Sequence, residues 1–353
     1  MPISQTTYTS LITAKNLSWV GNSYDLATAT LGSTFGNYVV NFIESLSGYP
    51  ASDVVMATSI CADDISALSA SGNIGQYPRE LMQFLGPFSS SGLAGYPHYG
   101  VTGIFAWASH ATDTGALFLL VTPHIGVTQY GDTGLVYRRG QVAPSSTCGA
   151  VAAAVNTVIS TVSLVTSIYG SWELQGESWT PINGNPGTLG FDNNFWILYV
   201  NVNEATFINT TQLSVTGDYV DTNTYDVVTL SYPTLPTLPT SGSELFAQDF
   251  QQWLLTNELF PARDTLLSST TAGRMLIATK TIIDSASAAI TNVILPPAYA
   301  AFFPANSQVP VFTCFGTFVN VDDGYEAYIA PISFMRYDST GWIDYTDQFI
   351  GGI

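Results

Sequence analysis

Basic residues are scarce: eight Lys and Arg stand against 26 Asp and Glu, a formal net charge of −18 at pH 7 over 353 residues. Such a chain is repelled by a polyphosphate backbone and by an anionic bilayer surface, so neither nucleic acid nor membrane is expected as a partner. Long hydrophobic runs are missing too. "GALFLLV" is too short to cross a bilayer, and "AAVNTVISTVSLVTSIYG" is too rich in Ser and Thr. The opening "MPISQTTYTSLITAKNLSWV" has no basic start followed by an apolar run, so no signal peptide is read and a soluble, cytoplasmic protein is the expectation. Cysteine is limited to Cys61, Cys148 and Cys314. An odd count at that density excludes a disulfide scaffold and leaves buried thiols or metal ligands. No G-x-G-x-x-G follows a strand-like run and no P-loop occurs, which removes support for a nucleotide cofactor.

What is present is apolar enough to fold: 46% of the residues are hydrophobic, sufficient for a large core. "YVVNFIESL" has apolar residues at helical spacing, and "SDVVMATSIC" reads as a short buried strand ending at Cys61. Two further strand candidates, "GIFAWAS" and "GALFLLVTPHIGV", are bounded by glycines and deliver His110 and His124 at their exits. After Cys148, "GAVAAAVNTVISTVSLVTSIYG" has the content of a buried helix. Residues 171–240 change character, with hairpin-like runs such as "NFWILYVNV" and "QLSVTGDYV" and a Pro-punctuated end, "SYPTLPTLPTSG". Helices are expected again in "SELFAQDFQQWLLTNEL" and "AGRMLIATKTIIDSASAAI", then a hairpin of "VPVFTCFGTFVNV" with "YEAYIAPISF" across the turn "DDG". The expectation is a single α/β domain over residues 1–353, a mixed β-sheet flanked by helices, carrying a β-rich insertion at 171–240.

A catalytic zinc needs three protein ligands, often thiolate mixed with imidazole, and an open fourth position. Cys61, His124 and Cys148 supply that set, and a thiolate at Cys148 would be favoured by the start of the helix that follows it. The spacing is long and matches no compact zinc finger. Two buried thiols and an ordinary histidine account for the same residues. His110 reads either as a proton shuttle or as a buried structural histidine. Cys314, inside an apolar run, reads as core.

The stretches "ATSICADD", "FSSSGLAGYPHYGVTGIFAWASH", "VTPHIGV", "GLVYRRGQ" and "STCGA" resemble, in order and spacing, the limiting-CO2-inducible B and C family, which is similar to β-class carbonic anhydrases. The likeness is close over residues 50–155 and weaker beyond. It implies a β-carbonic-anhydrase-like fold, a zinc ion held by Cys61, His124 and Cys148, and a homodimer. The implied activity is reversible hydration of CO2 to bicarbonate by zinc-bound hydroxide, with His110 helping to export the proton. Asp63 then either closes the fourth zinc position or is held away from it by an Arg. Here the sequence departs from the family: "CADDISALSA" contains no Arg, so Arg79, Arg138 or Arg139 takes that role through space, or the gate is missing. Members of the family differ in whether they are active. A catalytically inactive, zinc-stabilised module binding CO2, bicarbonate or a protein is therefore the alternative, and an interaction protein acting through residues 171–240 is the third.

Overall fold

The computed structural model describes residues 3–19, 22–60, 78–89, 115–138, 140–149, 151–156, 158–159, 259, 262–303, 307–322 and 324–353, and six strands between residues 172 and 231. The chain forms two compact units: Met1–Val155, Thr237–Gln251 and Asp264–Ile353 make the first, Asn156–Pro236 and Gln252–Arg263 the second. In the first, α1 (Gln5–Thr13) leads to the hairpin β1 (Asn16–Trp19) and β2 (Asn22–Asp25), then β3 (Thr30–Leu31), α2 (Gly32–Ser47), β4 (Val54–Ile60), β5 (Leu85–Ser89), β6 (Ala116–Thr122), β7 (His124–Val127), β8 (Leu135–Val136) and β9 (Ser145–Ser146). The second contributes β10 (Trp172–Gln175), β11 (Ser178–Pro181), β12 (Leu189–Asp192), β13 (Phe195–Asn201), β14 (Ser214–Asp218) and β15 (Tyr225–Ser231). The first unit resumes with α3 (Thr271–Ala288), α4 (Leu295–Phe302), β16 (Val311–Val321), β17 (Tyr328–Asp338), β18 (Gly341–Asp344) and α5 (Thr346–Ile350).

The main sheet has the order β18-β17-β16-β6-β4-β5, with β3 added to β17 and β7 added to β16. Strands β5, β4, β6 and β16 run parallel, and β17 and β18 are antiparallel to their neighbours. The sheet is therefore mixed, as the sequence predicts. The parallel strands are near-continuous apolar runs because helices cover both faces. On one face Phe35, Val39 and Phe42 of α2 and Phe349 of α5 meet Met56, Phe118, Phe312 and Phe334, all buried. Each such side chain contributes about 1.5–3 kcal/mol of burial. On the other face α3 packs on β6, β7 and β16.

The helix ends follow local chemistry. Gly48, at φ 74°, closes α2 with its N–H on the Glu44 carbonyl, a left-handed cap that favours glycine. The Glu326 carboxylate accepts from the Ser33 N–H at 2.7 Å, which satisfies a donor at the start of α2. Thr270 caps α3 by accepting from the Gly273 N–H. Between α3 and α4 the helix widens to π geometry over Ala289–Ile294. Pro296 and Pro297 follow directly; they lack the N–H groups that the preceding turn would use, so the helix is re-registered there rather than ended.

In the second unit all six strands pair antiparallel in the order β10-β11-β12-β13-β15-β14. These six strands lie between residues 172 and 231. Among the described residues no helix is long and apolar enough to cross a membrane. The expected strand "GIFAWAS" and helix "SELFAQDFQQWLLTNEL" lie outside the described residues, except for Leu259 in the latter.

Candidate metal centre

The chain leaves β4 to form β5 on one side of it and returns to form β6 on the other. That reversal of strand order falls at the carboxyl ends of β4 and β6, the position where open α/β sheets place ligands. Strand β4 ends at Ile60, which pairs in parallel with Thr122 at the end of β6. The next residue after Ile60 is Cys61. Two residues after Thr122 comes His124.

Strand "GALFLLVTPHIGV" is split in two because Pro123 has no N–H to give to the ladder. Its carbonyl still accepts from the Phe318 N–H at 2.9 Å, so β7 continues along β16 and His124 is held as its first residue. The imidazole is 2% exposed, and its Nδ1 lies 2.8 Å from Oδ1 of Asn320, itself 4% exposed. Nδ1 and the amide thus share a hydrogen bond, and Nε2 is also shielded from solvent.

Cys148 reaches the same end of the sheet through a backbone relay. The Gly134 N–H donates to the Gly126 carbonyl at 2.8 Å, and the Thr147 N–H donates to the Gly134 carbonyl at 2.9 Å. Gly126 permits this approach: a Cβ there would lie 2.0 Å from Thr147 Oγ1 and 2.6 Å from the Leu135 carbonyl oxygen. Gly134 has φ 85°, a conformation suited to glycine. The Cys148 side chain is buried, and its carbonyl accepts from Ala152 N–H in the first turn of the helical residues that follow. Arg138 fastens the approach to Cys148: its guanidinium donates to Ser145 Oγ at 2.6 Å and to the Ser146 and Thr147 carbonyls at 3.1 and 3.3 Å.

Strand β16 supplies a second anchor. Asp322, two residues beyond Asn320 and 5% exposed, accepts from Tyr8 Oη at 2.7 Å and from the backbone N–H groups of Gln129 and Tyr137 at 2.8 Å each. It ties α1 and both ends of the 129–137 loop to the sheet. Burial and the adjacent carboxylate raise the Tyr8 phenol above its ordinary range, which keeps it a donor. Asn320 and Asp322 are functional candidates that the sequence reading did not single out. The available signal is polar residues at alternate positions, Asn320 and Asp322, at the end of the apolar run of β16: buried groups of that kind require partners.

His124 and Cys148 are therefore brought toward one sheet end by β7, β16 and the β8–β9 pair. Cys61, Asp63, His110 and Arg139 lie outside the described residues, as does the side chain of Arg79. Among the described residues no three His, Cys, Asp or Glu side chains form a metal group. The donors that are described suit zinc: an imidazole fixed through its other nitrogen and a buried thiol. Cys314 sits in the α2 side of the core, where burial pushes its thiol well above the ordinary range, the behaviour of a packing residue.

These features define an α/β protein with a mixed sheet and flanking helices. Residues 31–171 match the family described as limiting CO2-inducible proteins B/C beta carbonic anhydrases, which shows the family resemblance over that segment. The chain is similar in fold to PtLCIB4, a homolog of the limiting CO2-inducible protein LCIB, at 18% identity and TM-score 0.57, with 97% of this chain and 99% of that chain covered. A single-residue variant of PtLCIB4 gives a TM-score of 0.55 at 18% identity over 90% of this chain and 93% of that one. No curated protein matches the sequence.

Proposed function

We propose that the chain is a zinc-dependent carbonic anhydrase that interconverts CO2 and bicarbonate, with Cys61, His124 and Cys148 as metal ligands. What supports this reading is the pairing of a family match over 31–171 with a buried imidazole whose Nδ1 is hydrogen-bonded to Asn320 at the carboxyl end of the parallel strands. Zinc supplies Lewis-acid activation of water at neutral pH. The protein's part is to hold the donors. Asn320 orients the His124 ring, and the Gly126–Gly134–Thr147 relay sets the backbone before Cys148. Asp63 would orient the attacking water, a role taken from the family resemblance, and His110 would help to export the proton. The dimer implied by that resemblance belongs to the same proposal and is tested by sedimentation.

A second reading is a zinc-stabilised module without turnover. It is favoured by the lack of an Arg near Asp63 in "CADDISALSA" and by Arg138 being engaged with the 145–147 segment. One experiment separates the two: zinc content and the stopped-flow rate of CO2 hydration, measured on the same sample. One zinc per subunit with rapid hydration is expected. Zinc without hydration selects the module, and protein purified without chelators yet free of zinc overturns both. Cys148→Ser should lose the metal, since a hydroxyl is a poor replacement for thiolate.

A further inference from the structure

We infer that Asn320 is a positioning residue that sets the tautomer of His124, keeping the proton on Nδ1 and the lone pair on Nε2. Its consequence for metal binding rests on the proposed ligand role of His124; its test does not. The 2.8 Å contact between Nδ1 and Oδ1 joins two side chains that are almost fully buried, so water does not compete strongly for either.

The strand register explains how they meet. His124 pairs with Phe318 and Gly126 pairs with Asn320 across parallel β7 and β16, so Asn320 lies two positions along from the residue opposite His124. Side chains two apart on a strand share a face. The residue directly opposite Asn320 is glycine, so no side chain there blocks the amide, which leans back along the strand to the imidazole. A neutral imidazole in water favours the proton on Nε2, so an acceptor at Nδ1 reverses the ordinary preference. The opposite orientation of the amide would donate to Nδ1, drive the proton to Nε2 and remove the donor. Orientation of the Asn320 amide thus decides whether His124 is a ligand or a spectator.

The test uses full-length, metal-free protein labelled with 15N histidine, at a pH where the ring is neutral. The chain has three histidines, and the His124→Gln variant identifies the signal that disappears. Expected for the wild type is the Nδ1–H tautomer. Asn320→Leu, close in size but without an acceptor, should shift the ring toward Nε2–H and weaken the zinc Kd about 10- to 100-fold. Asn320→Asp, which retains an acceptor oxygen, should restore the tautomer and most of the affinity. An Nε2–H ring in the wild type overturns the inference, as does a folded Asn320→Leu protein with an unchanged tautomer. If Asn320→Leu does not fold, the wild-type spectrum and Asn320→Asp still decide. A wild-type Nδ1–H ring in a protein that never binds zinc leaves Asn320 in its role and removes the metal reading instead.

Discussion

At Asp63 two carboxylate positions separate an enzyme from a zinc-bearing scaffold. If Asp63 is held off the metal, as the proposed function requires, it orients the attacking water, and Asp63→Ala should lower CO2 hydration about 100-fold, within the range of a lost acid–base group, while zinc stays bound. A wild type that is inactive at neutral pH, and becomes active in Asp63→Ala, would show the carboxylate closing the site. Gly126 is decisive for a different reason. In Gly126→Ala the new methyl meets the Thr147 hydroxyl and the Leu135 carbonyl, and backbone must move. The expected cost is about 1–3 kcal/mol, read as a lower melting temperature together with loss of zinc. Gly149→Ala is the control: among the described residues nothing lies within 4 Å of its added methyl, so stability and zinc content should be unchanged. His124 and Cys148 stand out in the sequence as rare residues in glycine-punctuated runs. Asn320 does not, because its partner is 196 residues away in sequence and no local pattern encodes that contact.

The elements divide in the same way. Strands β4, β6, β16 and β17 and helices α2 and α3 were visible as apolar runs of the right period, since their burial is imposed by the sheet and its covering helices. The break at Pro123 and the π turn before Pro296 were not read, although the prolines were in view. Whether a proline ends an element or merely offsets it depends on whether neighbours hold the chain on both sides, as β16 holds β7. Strand β16 also carries an element-scale prediction. Its end, through Asp322, fixes α1 and the 129–137 loop with three hydrogen bonds. Removing the carboxylate in Asp322→Ala leaves those donors unsatisfied, and at about 1–3 kcal/mol for each buried group the loss should exceed about 3 kcal/mol. Denaturant unfolding measures it. An effect below about 1 kcal/mol would mean that water replaces the carboxylate and that the loop is anchored elsewhere.

On the scale of the whole molecule the question is whether the second unit takes part in the chemistry. Among the described residues, strands β10 to β15 pair with one another as an antiparallel sheet built from residues 172–231. The main sheet likewise has its own core, formed by α2, α5 and the inward residues of β4, β6, β16 and β17. His124, Asn320, Cys148 and Asp322 all belong to the first unit. A chain in which residues 171–236 are replaced by a flexible Gly/Ser linker should therefore fold cooperatively and bind one zinc. Its hydration rate should be within about threefold of the full chain, about 0.7 kcal/mol in barrier height. Calorimetry, zinc analysis and stopped-flow on the same preparation check the three parts separately. Retained zinc with lost hydration would give the β-rich unit a part in catalysis. Retained zinc and hydration with loss of a binding partner would give it the recognition role and leave the catalytic reading of the first unit intact.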